Sequence, residues 1–125
     1  GPASGAFAST DLRYEILRDM WDRGVKFVTG MDSGMTNANF DDFAYIPEVM
    51  VEDMGITPME AIISATQVSA DCLGLLDEIG TLEEGKAADV LIINGNPAVD
   101  IKALHDVNTI VKQGQIVKQE NELLI

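Results

Sequence analysis

The residue in this 125-residue chain best placed to do chemistry is an aspartate between glycines. Asp32 lies in Gly30-Met31-Asp32-Ser33-Gly34, directly after the β-branched and aromatic run Val25-Lys26-Phe27-Val28-Thr29. Such a run reads as a short strand. Parallel α/β folds hold their catalytic groups at the C-terminal ends of strands, which makes Asp32 the candidate catalytic residue. The competing reading is an Asp that satisfies the amides of its own turn.

Other reactive residue types are weaker candidates. Gly80-Thr81-Leu82-Glu83-Glu84-Gly85-Lys86 fits G-x-x-x-x-G-K, the opening of a phosphate-binding loop. Ala87 stands where Ser or Thr would hold magnesium, a strand pattern follows instead of a helix, and Glu83-Glu84 would face the phosphates. The segment is therefore expected to be a plain turn. His105 is the single histidine, so one copy of the chain cannot build a His-rich zinc site. No G-x-S-x-G elbow accompanies it to supply a serine nucleophile. Cys72 sits among small and apolar residues and is expected to be buried and inert. The neighbouring carboxylates Asp41-Asp42 and Glu83-Glu84 do not share a helix face and read as solvated charge. The six methionines read as core filler.

The elements that must position Asp32 begin with a helix capped by Thr10 and Asp11. Its apolar residues Leu12, Ile16, Leu17, Met20 and Trp21 fall near one face. Gly24 ends it, and the Val25–Thr29 strand follows. Met35 to Asn39 reads as loop, with Asn39 capping a helix from Phe40 that Pro47 kinks or restarts. Thr57-Pro58-Met59-Glu60 is a capping box opening a helix of small residues, and a second short helix is expected from Ser69 to Leu73. Beyond Gly80 the pattern turns to strands. Ala88 to Ile93 reads as a buried strand, Asp100 caps one helical turn through Leu104, and 109–112 with 115–118 form a hairpin around Gln113-Gly114. Helices first and strands later indicate α+β, or two pieces of a larger fold.

Composition narrows the partners. The net charge of −13 repels phosphate backbones and anionic membranes, so neither nucleic acid nor membrane is an expected partner. No apolar run nears the ~18 residues of a membrane span. A single cysteine excludes an intramolecular disulfide and suits a reducing, cytoplasmic setting.

Three stretches together carry a family resemblance. Val25 through Gly34, Ile56 through Ile62, and Gly80 through Pro97 resemble the C-terminal third of the amidohydrolase superfamily, nearest its imidazolonepropionase and prolidase-like branch. Gly80 through Val90 is similar to the family's Gly-x-hydrophobic-Glu-x-Gly-Lys-x-Ala-Asp-hydrophobic signature. The resemblance implies a C-terminal fragment of a (β/α)8 metal-dependent hydrolase barrel, α/β to α+β in class, with part of a flanking β-domain. It divides the chain into a loose N-terminus over residues 1–9 opening on a tag-scar-like Gly1-Pro2, the last barrel strand and C-terminal helices over 10–79, β-domain over 80–119, and a tail over 120–125.

By the same resemblance Asp32 ends the eighth barrel strand, as a catalytic group and a ligand of zinc or a similar divalent metal. Met31 stands where the family usually has Thr. The family's His-x-His pair, its Lys or Glu on the fourth strand and its later histidines have no counterpart here. Metal binding by Asp32 therefore needs the missing barrel strands, and the chain alone is expected to hold no cofactor. The implied activity of the complete protein is hydrolysis of amide, cyclic amide or related ester bonds in small, dipeptide-like substrates, with the isolated chain inactive. The alternative is a non-catalytic domain that self-associates into an oligomer, since unpaired strand edges invite partners.

Overall fold

The computed structural model describes residues 10–34, 39 and 41–125. Helix α1 (Thr10–Asp22) carries Asp11 in its first turn, where a carboxylate complements the helix dipole. Its apolar residues divide between two faces. Tyr14, Leu17 and Trp21 pack against the core, whereas Leu12, Ile16 and Met20 stay exposed.

Helix α2 (Tyr45–Glu52) follows a single 3₁₀ turn over Asp42–Ala44. Pro47 is its third residue, inside the first turn, where a missing N–H removes no helical hydrogen bond. The expected helix start at Phe40 lies outside the described residues. Asn39 contributes its backbone and not a side-chain cap: its N–H donates to the Asp42 carboxylate at 3.0 Å.

Helix α3 (Pro58–Ile63) has the full capping box. The Glu60 N–H donates to Thr57 Oγ1 at 3.3 Å, and the Thr57 N–H donates to the Glu60 carboxylate at 2.9 Å. The helix then runs on as a π-helical turn, Ser64–Val68, into α4 (Ser69–Cys72). Two short helices were expected; the chain forms one continuous helical run, because nothing between Ala65 and Val68 stops it. Hydroxyls take up carbonyls along this run, with Thr66 Oγ1 donating to Ile62 O and Ser69 Oγ to Ser64 O, each at 2.7 Å. Cys72 is exposed, not buried as expected. Ala70 faces the interior, and a residue two positions on points to nearly the opposite side of a helix.

Strands β1 (Val90–Ile93), β2 (Val107–Lys112), β3 (Gln115–Gln119) and β4 (Glu122–Leu123) form one antiparallel sheet in that order. The β2–β3 turn places Gln113 and Gly114 at φ 50° and 79°, the left-handed pair that a two-residue hairpin turn requires. Strand β4 lies in a tail whose sequence had too little pattern to assign. Strand β1 is not the buried strand expected: Leu91 and Ile92 are 58% and 51% exposed, with Ile110 and Thr109 of β2 beside them and no described strand on the other edge.

The core sits among the helices. Met50, Met54, Ile56 and Ala61 are buried together with Ile101 from a 3₁₀ turn, Ile101–His105. Asp100 caps that turn by accepting the Lys102 N–H at 3.0 Å. Ile101 thus plugs the sheet-bearing half into the helical half, and Lys102 adds an ion pair to Glu52 at 2.9 Å. Among the described residues no helix is long and apolar enough to cross a membrane.

Candidate functional site

Asp32 is delivered by the segment that leaves α1. Gly24, at φ 85°, reverses the chain while the Val25 N–H closes back on Met20 O at 3.1 Å. The run Val25–Thr29 forms no ladder with β1–β4, so the expected strand is absent from the described sheet. A strand exists only through a partner, and all four paired strands lie beyond residue 89. The segment is held from one side instead. The Phe27 ring packs on the core with its centroid 5.8 Å from that of Trp21. Val25 and Val28 remain 44% and 48% exposed. Beside them runs an open groove of about 350 Å³ lined by Trp21, Phe27, Ile63 and Val68.

Polar anchoring comes from the helical run behind the segment. Ser64 Oγ donates to Phe27 O, and the Thr29 N–H donates to Ser69 Oγ at 3.2 Å. The Thr29 hydroxyl is buried and finds no partner among the described residues. Met31 follows half-buried, and Asp32 stands exposed at the end. No described side chain forms an ion pair or hydrogen bond with Asp32, so its carboxylate is open to solvent and to whatever lies across from it.

Other reactive residue types are committed elsewhere. His105 Nε2 meets the Glu48 carboxylate, and its ring lies edge-on to Tyr45 at 4.5 Å between centroids. Lys86 does not wait for a phosphate. Its ammonium donates to Leu76 O and to Thr81 Oγ1 at 2.6 Å, and pairs with Glu83 at 2.9 Å. Hydrogen bonds from Thr81 and Lys86 hold the Glu83 carboxyl below its usual range. The turn closes upon itself, as its sequence suggested. Asp89 is structural in its contacts: Lys112 Nζ and the Gln113 N–H both donate to it at 2.8 Å, lowering its pKa.

Among the described residues no group of three or more His, Cys, Asp or Glu side chains could hold an ion, and a catalytic zinc takes about three protein ligands. Asp32 alone does not fit that donor set, so no chemical step is derived through a metal in this chain. Ser64 and Ser69 were missed as site residues. Their signal was faint in the sequence: two serines five apart on a helix of small residues match the spacing of a π-helical turn and nothing more.

The chain matches the model of the amidohydrolase family over residues 9–117. The imidazolonepropionase of Brevibacillus brevis is 32% identical over 109 residues, covering 85% of this chain and 26% of the relative. The 5-methylthioadenosine/S-adenosylhomocysteine deaminase of Moorella thermoacetica is 30% identical over 126 residues, covering 86% and 29%. Among solved structures, a Xaa-Pro dipeptidase with methionine bound in its active site superposes with a TM-score of 0.77 at 33% identity, over 84% of this chain and 25% of that one. The chain thus spans about a quarter of the length of these relatives.

Proposed function

Because this chain belongs to the amidohydrolase family, we propose that it is the C-terminal portion of a metal-dependent hydrolase and supplies one catalytic carboxylate, Asp32. In this reading residues 10–79 hold the last strand and closing helices of a (β/α)8 barrel, and residues 80–119 hold part of a flanking β-domain. The observation that carries the reading is Asp32 itself: an exposed carboxylate, without a partner among the described residues, ending an apolar segment that pairs with no described strand. Val25 and Val28, each nearly half exposed, are the side chains that adjoining barrel strands would cover.

In the complete enzyme the substrate is a small amide, cyclic amide or dipeptide-like molecule. Asp32 accepts the proton of the attacking water and returns it to the leaving nitrogen. Zinc or a similar divalent ion belongs to the complete barrel, held largely by groups outside this chain. The exposed, unpaired Cys72 thiol favours a reducing, cytoplasmic setting.

The test is to assay hydrolysis and bound metal in this chain alone and in the chain joined to the preceding barrel strands of a relative. Activity and near-stoichiometric metal in the joined protein, with neither in the chain alone, are the expected results. Metal-dependent hydrolysis by the chain alone overturns the reading.

A second reading rests on β1. Leu91 and Ile92 are more than half exposed beside an unpaired strand edge, which favours self-association of a non-catalytic domain. Metal content and hydrolysis of the joined protein separate them, since this reading requires neither even there.

A further inference from the structure

We propose that Ser69 and Ser64, at the two ends of the π-helical turn, are positioning residues that hold the Asp32 segment in place of a neighbouring strand. The inference rests on the proposed catalytic role of Asp32 and extends it to residues no part of that role requires.

The geometry is specific. Ser64 Oγ donates to Phe27 O, and Ser69 Oγ accepts the Thr29 N–H at 3.2 Å. Residues 27 and 29 are alternate positions of one segment, the spacing at which a paired strand makes its ladder bonds. Two hydroxyls therefore do the work of two ladder bonds. A normal α-helical register would leave these serines 500° apart around the axis, 140° off a common face. The π turn widens the register, so that both reach one segment. Ser69 Oγ also donates back to Ser64 O at 2.7 Å, which fixes the hydroxyl so that its lone pair faces the Thr29 amide. Ser64 is almost completely buried, at 1% exposure, so its bond is shielded from water. Three residues after Thr29 the backbone presents Asp32, and the last fixed point before it is the Ser69 bond.

The experiment is amide hydrogen exchange on the 125-residue chain with Ser69→Ala and Ser69→Thr. Alanine favours the helix interior, so exchange at core amides such as Ala61 is expected to stay as slow or slow further. Exchange at Thr29 is expected to speed up about tenfold, the loss of one net hydrogen bond. Ser69→Thr keeps the hydroxyl and is expected to restore protection. Ser64→Ala is the second probe and is expected to loosen Val28, whose amide follows the released Phe27 carbonyl. Unchanged exchange at Thr29 in Ser69→Ala, or equal loosening of Thr29 and Ala61, overturns the proposal. The same variants in the barrel-completed protein distinguish the two readings. A tenfold lower kcat with KM unchanged supports positioning. If Asp32→Asn leaves that protein active while Thr29 still loosens, the anchor stands and the catalytic role of Asp32 falls.

Discussion

Two glycine-bounded turns of this chain treat their polar groups in opposite ways. In Gly80–Lys86 the central charged groups answer each other, Lys86 by Leu76 O, Thr81 and Glu83, and Glu83 by both Thr81 and Lys86, while Glu84 faces solvent. In Gly30–Gly34 the carboxylate of Asp32 is answered by no described residue. The first matches a phosphate-loop pattern and is a closed structural joint. The second matches no motif by itself and presents the carboxylate proposed to be catalytic. A motif's residue types announce chemistry only when their groups are left free to perform it.

The joint should be the more fragile under substitution. Gly80 has φ 96°, and a Cβ there would lie 2.5 Å from Ala70 Cβ and 3.2 Å from Thr66 O. Left-handed strain adds to overpacking against a helix, so Gly80→Ala is expected to destabilise the fold by about 3 kcal/mol. A urea titration should show this as a lower midpoint at unchanged slope. Asp32→Ala, at the open turn, should move the midpoint by less than about 0.5 kcal/mol. Equal shifts from the two would erase the contrast.

Catalysis should invert the ranking. In the barrel-completed protein, Asp32→Asn keeps the shape and removes the basic carboxylate. Turnover is expected to fall about 100-fold, near 2.7 kcal/mol on the barrier. Asp89→Asn should leave turnover within about twofold while lowering the melting temperature, because Asp89 ties the 112–113 turn and not the open one.

How far the sequence disclosed all this depends on the range of the forces involved. The Thr57–Glu60 capping box, the Asp100 cap and the Gln113-Gly114 hairpin are local, satisfied within a few residues, and were legible. The Val25–Thr29 strand and the burial of β1 were not, because both depend on partners far along the chain or beyond it. Periodicity reports what a segment is suited to pack against, not whether the partner is present. Asp32 stood out by its place after an apolar run, and the structure adds that it is exposed there. The serines that anchor its segment were not, since a π turn leaves no distinctive residue type behind.

Acid should loosen the closed regions and spare the open turn. Hydrogen bonds from Lys112 and the Gln113 amide lower the Asp89 pKa, and those from Thr57 lower that of Glu60. Their ordinary values are 3.8 and 4.5. A carboxyl more acidic when folded contributes stability that is fully present above its unfolded pKa and is lost as pH falls through the folded one. Stability should therefore hold down to about pH 5 and decline below about pH 4. Asp89→Asn should flatten part of that decline. Because Glu60 is exposed and Asp89 only half-buried the loss is small, and a decline left unchanged in Asp89→Asn would remove Asp89 from its cause.

The smallest expected effect lies at Thr29, where one residue carries both kinds of polar group. Its N–H is bonded to Ser69, and its hydroxyl is buried without a partner among the described residues. A buried, unanswered hydroxyl costs stability, and replacing it with a methyl of the same shape is neutral or favourable. Thr29→Val also keeps the β-branched side chain that suits this segment. The 125-residue chain should therefore gain between zero and about 1 kcal/mol from the substitution, with Thr29 amide exchange unchanged relative to the core. In the barrel-completed protein the sign can reverse, because a neighbouring strand would offer the hydroxyl an acceptor. A gain in the chain and a loss in the complete protein would show that the open side of the Asp32 segment is built for a strand. A loss above about 1 kcal/mol in the chain alone would show instead that the hydroxyl is already bonded, and the contrast between the two turns would narrow to Asp32 itself.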